Sequence, residues 1–125
     1  MNFHSYSYLF SNFRYGDLAL TPEDFKSSAR RLMWWLFVST RGGYTRMKIM
    51  RSILENPKNA NQICSDLGVN YRTIEHHLKV LLDNHLVMTV GDGYGKTYFP
   101  GELAQNNLNM LIEIINKTEG REKVK

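Results

Sequence analysis

The sequence contains a single cysteine, Cys64, among 125 residues. A lone cysteine excludes an intramolecular disulfide, and free thiols are typical of a reducing compartment, so we expect a cytoplasmic protein. The longest apolar run, Leu32–Val38, has seven residues, far fewer than the roughly 20 that a membrane-spanning helix needs. The segment Met1–Phe10 lacks the basic residues that precede the apolar core of a secretory signal. These absences predict a soluble chain without a membrane partner.

Residue patterns that indicate catalysis or metal binding are missing as well. The pattern indicates neither a Ser-His-Asp triad nor a carboxylate pair in a pocket, and the glycines of residues 91–95 do not lead into a helix, as a phosphate-binding loop requires. His76 and His77 are adjacent, and adjacent helical side chains point about 100° apart, so the two cannot hold one metal ion from one face. We therefore expect no enzyme, no metal and no cofactor.

Positive charge is in modest excess and is unevenly placed. The formal net charge is +4, the pI is about 9.3, and 42% of the residues are hydrophobic, enough for one compact domain. Residues 41–100 carry eight Lys or Arg against five Asp or Glu, so most of the excess lies there. A basic segment of this kind favours a phosphate-bearing partner.

The part of the chain before the basic segment is rich in aromatic residues. Residues 1–20 predict an aromatic arm, and residues 21–40 predict a helix that begins with Thr21 as its N-cap. This helix is apolar on several sides after its first turns, which suggests that it is buried in a dimer. We expect Trp34 and Trp35 to contribute to dimerisation.

The part after the basic segment predicts a second dimerisation helix. Residues 101–118 have helical periodicity, with an apolar stripe that consists of Leu108, Leu111, Ile112 and Ile115. Residues 119–125 are charged, and we expect them to form a flexible tail.

Between these extensions, residues 41–100 predict three short helices and a hairpin. The helix starts are marked by the capping residues Thr45, Asn59 and Asn70. The second and third helices cross at a tight turn, where Gly68 tolerates a positive φ and Cys64 is the small residue at the contact. This spacing is typical of a helix-turn-helix.

The hairpin that follows completes a winged helix-turn-helix. Two strand-like runs, residues 86–90 and 94–99, flank an Asp-Gly turn. Tyr94 and Lys96 belong to this wing, and we expect it to contact the DNA backbone or the minor groove. The predicted fold class is mainly α with a small β-hairpin (α+β), with N- and C-terminal helical extensions.

The third helix of this unit, residues 71–84, is the predicted recognition helix. Its apolar residues Ile74, Leu78, Leu81 and Leu82 are expected to face the core. The N-terminal part of such a helix enters the major groove. We therefore predict DNA contacts for its outward-facing residues Tyr71, Arg72, Thr73, Glu75, His76 and Lys79.

The side-chain chemistry of this face suggests separate roles. Arg72 can pair with guanine through two hydrogen bonds, the methyl group of Thr73 can contact thymine, and Glu75 can accept from cytosine N4. Lys79 lies farther along the helix and is expected to contact phosphate.

Four strings within residues 40–100 resemble winged-helix transcription regulators of the ArsR-like superfamily, above all archaeal members. They are Thr40-Arg41-Gly42-Gly43, Asn59-Ala60-Asn61-Gln62-Ile63, Tyr71-Arg72-Thr73-Ile74-Glu75-His76-His77-Leu78 and Gly93-Tyr94-Gly95-Lys96-Thr97-Tyr98-Phe99-Pro100. The resemblance implies a homodimer that binds double-stranded DNA in transcription. Metal-sensing members carry a pair of Cys before the recognition helix or His ligands in the last helix. Here the helix before the recognition helix has Cys64 alone and residues 101–118 have no His, so metal sensing is not expected.

Two other functions are compatible with the same pattern. A winged helix can serve as a protein-interaction module in a larger assembly, and a basic one can coat DNA as an architectural protein with little sequence preference. An effector pocket between the Trp34-Trp35 helix and the final helix is a further alternative. The sequence does not identify an effector.

Overall fold

A computed structural model describes residues 22–124, with side chains from residue 27 to residue 119; the predictions for residues 1–20 and for Thr21 lie outside this range. Six helices and one hairpin follow each other along the described chain. The helices are α1 (Pro22–Trp34), α2 (Gly43–Glu55), α3 (Ala60–Leu67), α4 (Tyr71–Asp83), α5 (Glu102–Asn106) and α6 (Leu108–Val124). The strands are β1 (Val87–Val90) and β2 (Thr97–Pro100).

The helix-turn-helix is formed by α3 and α4, and both predicted caps at its helix starts are confirmed. The Asn59 side chain accepts from the Gln62 N–H at 2.8 Å, and the Gln62 side chain accepts from the Asn59 N–H at 2.8 Å. This reciprocal capping box satisfies two backbone donors that the helix leaves free. Asn70 likewise accepts from the Thr73 N–H at 2.9 Å. Gly68 ends α3 in the left-handed conformation, with φ 66°.

The start of α2 differs from the prediction. The helix begins at Gly43 rather than after Thr45, and no side chain caps it. Gly42 precedes it with φ 87°, a backbone conformation that favours glycine. The sequence alone suggested Thr45 because a hydroxyl is a common cap, but the left-handed Gly42 sets the start three residues earlier.

Helix α1 ends in a wide turn. Trp35–Ser39 form a π-helical segment that continues α1, and Thr40 then leaves in an extended conformation. The Thr40 hydroxyl donates to the Trp35 carbonyl at 2.9 Å, which satisfies an acceptor that the last turn would leave free. Helix α1 packs against α6, and the π-helical segment packs against α2.

The wing is a two-stranded antiparallel hairpin in which Val87 pairs with Pro100 and Val90 pairs with Thr97. The second strand starts later than predicted, because residues 93–95 form a single 3₁₀ turn. A backbone bridge between Lys58 and Tyr98 ties the hairpin to the segment that precedes α3, with the Tyr98 N–H donating to the Lys58 carbonyl at 2.9 Å.

The C-terminal extension is two helices rather than the single one predicted. Asn107 breaks the helix between α5 and α6, and its side chain donates to the Leu103 carbonyl at 3.0 Å. The amide thereby satisfies a carbonyl of the last turn of α5. Helix α6 then continues to Val124, beyond residue 118, where the prediction ended it.

One hydrophobic core joins the extensions to the central unit. Side chains of every helix and of the hairpin contribute to it, among them Met33, Phe37, Met50, Ile53, Ile63, Ile74, Leu81, Leu86, Tyr98, Ala104, Leu111 and Ile114. Helix α1 therefore packs on the same core as the helix-turn-helix. The six helices and the hairpin agree with the predicted α+β architecture.

Backbone atoms pack closely around Gly101, which lies just after the second strand of the hairpin. Its N–H donates to the Leu86 carbonyl at 2.8 Å, and a Cβ added at residue 101 would lie 2.5 Å from the His85 carbonyl oxygen. We expect Gly101→Ala to lower the free energy of unfolding by about 1–3 kcal/mol, because backbone must move to admit the methyl group. Denaturant unfolding measures this change.

The control for this substitution is Gly95→Ala in the wing. A Cβ at residue 95 would meet no atom within 4 Å, so we expect little change in stability. Equal effects of the two substitutions would contradict the role given to Gly101.

Candidate nucleic-acid interface

The outer face of α4 carries the residues predicted to contact DNA. Arg72, Glu75, His76 and Lys79 are exposed, and Tyr71 and Thr73 are partly exposed. Thr73 is held near the start of the helix because its N–H donates to the Asn70 cap. The six side chains therefore lie along one side of the first two turns and the start of the third.

The inner face of α4 differs from the predicted one at Leu82. Ile74, Leu78 and Leu81 are buried, as expected, and His77 is buried with them at 8% exposure. Leu82, which was predicted to face the core, is 36% exposed. This prediction was wrong because residue 82 lies about 100° around the helix from Leu81, on the side next to Lys79.

A groove of about 460 Å³ runs between α4 and the second strand of the wing. It is lined by Arg72, Glu75, His76, Leu78, Lys79, Leu82, Lys96 and Tyr98. Five of these residues were predicted DNA contacts. The structure thus brings α4 and the wing together as two sides of one surface.

Tyr71 connects the start of α4 to the tip of the wing. Its ring lies 6.4 Å from the ring of Tyr94, measured between centroids, with the planes tilted by 51°. Partial burial and the nearby Glu75 raise the pKa of the Tyr71 hydroxyl above its usual value, so the phenol remains a neutral donor at physiological pH. Tyr94 itself is 79% exposed, which leaves most of its ring accessible to a partner.

The cations of this surface are differently engaged. Lys79 forms an exposed ion pair with Asp83 at 3.1 Å, and the Lys96 ammonium lies 5.8 Å from the centroid of the Tyr98 ring. Such exposed contacts are weak and are easily exchanged for a phosphate. Arg72 forms none of the ion pairs found among the described side chains.

Sequence reasoning missed a buried polar cluster behind this surface. Arg46 is 6% exposed and contacts His77, on the inner face of α4, through a guanidinium nitrogen at 3.1 Å from Nδ1. The periodicity of α2 gives no sign of it, because an arginine between apolar positions normally indicates a solvated face. The adjacent His76 and His77 do point to different sides, with ring centroids 5.3 Å apart. Within residues 27–119, no group of three His, Cys, Asp or Glu side chains is placed to hold a metal ion.

The residues predicted for dimerisation separate into two groups. Trp34 and Trp35 are 39% and 53% exposed, and Leu108 and Ile112 are each 41% exposed. Leu111 and Ile115, by contrast, are buried in the core of the same chain. The predicted stripe on the last helix is therefore divided between the core and the surface.

A second groove, of about 330 Å³, lies beside the exposed part of α6. It runs between α2 and α6, and its lining includes Leu54, Leu108, Ile112 and Ile115. The effector pocket considered from the sequence was placed between the Trp34-Trp35 helix and the final helix, whereas this groove is formed with α2. Across the described part of the chain, no helix is long and apolar enough to cross a membrane.

The central unit is similar to a known family of regulators. Residues 44–89, from the first turn of α2 into β1, match the family model of bacterial regulatory proteins of the arsR family. Comparison with the curated proteins finds no match.

Solved structures extend the likeness to most of the chain. Reduced HlyU from Vibrio cholerae is similar over 83% of this chain and 97% of that one, with 18% identity and a TM-score of 0.52. AbfR of Staphylococcus epidermidis is similar over 90% of this chain and 72% of that one, with 17% identity and a TM-score of 0.54. Staphylococcus aureus MarR, solved with salicylate and kanamycin, is similar over 99% and 82%, with 14% identity and a TM-score of 0.55. These likenesses confirm the predicted winged-helix fold.

Proposed function

Since residues 44–89 match the family model of bacterial regulatory proteins of the arsR family, we propose that the chain binds specific double-stranded DNA sequences as a homodimer and thereby regulates transcription. The observation that carries this proposal is the continuous surface formed by α4 and the wing. It combines an accessible helix start with cations that form either no ion pair or only an exposed contact among the described side chains. A helix of this kind enters the major groove by its first turns.

The geometry supports a distinct role for each part of the surface. Arg72 and Thr73 lie near the start of α4, where base edges are read, and Glu75 and His76 follow on the same side. Lys79 is farther along and would contact phosphate. Tyr94 and Lys96 would place the wing on the backbone or in the adjacent minor groove.

The exposed apolar side chains away from this surface support the dimer. Trp34, Trp35, Leu108 and Ile112 lie on α1, the turn that follows it and α6. Large apolar side chains that remain exposed in a single chain are typical of an interaction surface. A two-fold dimer would present two recognition helices to half-sites separated by roughly 34 Å, one turn of DNA.

The first test is selection of bound sequences from a pool of random duplex DNA, at two salt concentrations, with protein whose mass in solution is known. We expect a dimer to enrich an inverted repeat and to lose affinity steeply as salt rises. Salt-sensitive binding without enrichment would instead indicate an architectural protein. No binding at either salt would reassign the surface to a protein partner.

A second prediction concerns Arg72. We expect Arg72→Ala to weaken binding to the selected sequence by about 1–3 kcal/mol, because a bidentate contact to a base is lost. Arg72→Lys retains the charge but not the planar fork, so it should keep non-specific affinity and lose specificity. Fluorescence anisotropy on selected and scrambled duplexes measures both effects.

The matched control is Lys117→Ala, which removes the same charge from an exposed position on α6. It should leave affinity nearly unchanged. If Lys117→Ala and Arg72→Ala weaken binding equally, net charge rather than Arg72 accounts for the loss.

A third prediction tests the dimer surface. Trp34, Trp35, Leu108 and Ile112 form the proposed apolar patch. Trp35→Glu places a charge in this patch, and we expect it to shift the protein from dimer to monomer in sedimentation equilibrium. Val90→Glu is the control, because Val90 is 56% exposed and lies in the wing, outside the patch. A wild-type monomer at the concentrations that bind DNA would contradict the proposal.

A further inference from the structure

The guanidinium of Arg46 joins three parts of the fold. Its Nε donates at 2.9 Å to the carbonyl of Leu36, which lies in the π-helical segment that continues α1. A second nitrogen donates to the Thr40 hydroxyl in the linker. The third nitrogen lies 3.1 Å from Nδ1 of His77 on α4. We call these four residues the Arg46 cluster. It connects the exit of α1 to the helix that presents the DNA-contacting side chains.

The contact with His77 sets the protonation of the imidazole. Arginine can only donate, so Nδ1 of His77 must accept and its proton must lie on Nε2. A protonated imidazole has no acceptor and would place a second positive charge against the guanidinium. Among the ion pairs of the described residues, none includes Arg46, so no described carboxylate neutralises that repulsion.

The surroundings leave little room for the cluster to rearrange. Arg46 and His77 are 6% and 8% exposed. A Cβ added at Gly42 would lie 2.8 Å from Cε1 of His77 and 3.3 Å from a guanidinium nitrogen of Arg46. Because His77 shares the inner face of α4 with Ile74 and Leu78, a shift of the imidazole would move the helix that carries Arg72 and its neighbours.

We propose that Arg46 and His77 are positioning residues that hold α4 against the exit of α1, and that protonation of His77 releases this hold and weakens DNA binding. The inference rests on the proposed function. It adds a proton-sensitive connection between the segment that carries Trp34 and Trp35 and the DNA-contacting surface.

The charges around His77 favour its neutral form in the folded protein. Burial, the neighbouring Arg46 and the neighbouring His76 lower the pKa of His77 below its usual value. Arg46 faces the imidazole from α2 and His76 from its own helix, whereas the linker contributes the uncharged Gly42. Since the folded-state pKa is lower than the unfolded one, the neutral imidazole stabilises the fold fully above pH about 6.5. That stability is lost as the pH falls through the folded-state pKa.

The first experiment needs no DNA. Nitrogen-15 NMR of the full chain reports the tautomer and the pKa of each histidine. We expect His77 to carry its proton on Nε2 and to have a pKa below the usual value for histidine. In Arg46→Met the pKa of His77 should rise. If that variant does not fold, the wild-type tautomer still decides: a proton on Nδ1 would overturn the contact.

The second experiment measures affinity for the selected duplex at about pH 7.5 and 5.5. Asparagine offers an acceptor near the position of Nδ1 but does not titrate, so His77→Asn should bind like wild type at the higher pH. At the lower pH it should bind more tightly than wild type, by up to about tenfold per pH unit below the pKa of His77. Comparison of the variant with wild type at each pH cancels the effects of pH that the two proteins share.

The control is His85→Asn, at an exposed position with φ 62° that asparagine tolerates. It should reproduce the wild-type pH profile. If His77→Asn and wild type lose affinity in parallel on acidification, the proposal is overturned. Absence of DNA binding by wild type at both pH values overturns the proposed function instead, and the NMR measurement still decides the Arg46–His77 contact.

Discussion

Helix α4 must bury one stripe of side chains while it keeps the opposite stripe in solvent, and the presentation of the whole surface depends on this constraint. Ile74, Leu78 and Leu81 pack in the core, and helical geometry then fixes where Arg72 and Lys79 point. The Asn70 cap sets the first residue of the helix. A helix that buried a stripe shifted by one residue would turn a different face to solvent, about 100° away.

The wing depends on the same helix. The Tyr71 ring lies 6.4 Å from the ring of Tyr94 in the wing, and the segment before α3 holds β2 through the bridge from Lys58 to Tyr98. An isolated hairpin of two such short strands would not be stable in water. The position of Lys96 relative to α4 is therefore a property of the whole unit, which explains why two short strands suffice to shape one side of a binding surface.

The sequence predicted what depends on local periodicity and local chemistry, namely the helix-turn-helix, its Asn59 and Asn70 caps and the hairpin. It did not predict features that depend on distant contacts. Leu82 and Leu111 are both apolar residues at helical spacing, yet one is exposed and the other buried; a stripe gives a direction but not the width of the neighbouring core. The break at Asn107 depends on a side-chain bond to Leu103 that competes with helix continuation. The burial of Arg46 depends on carbonyl and imidazole acceptors that only the folded chain assembles.

An arginine without a carboxylate is an unusual choice for a buried position, because an apolar side chain of similar size often stabilises a core as well or better. The acceptors around Arg46 explain its presence. The Leu36 carbonyl lies at the end of a helical segment, and His77 lies on the inner face of α4. If an apolar residue replaced Arg46, each of these acceptors would lose its Arg46 donor. An unsatisfied buried acceptor costs about 1–3 kcal/mol. One guanidinium satisfies both and also reaches the Thr40 hydroxyl, which in turn donates to Trp35. Arg46 therefore satisfies the Leu36 carbonyl after α1 and also contacts the inner face of α4 through His77. The contact with α4 requires a neutral His77.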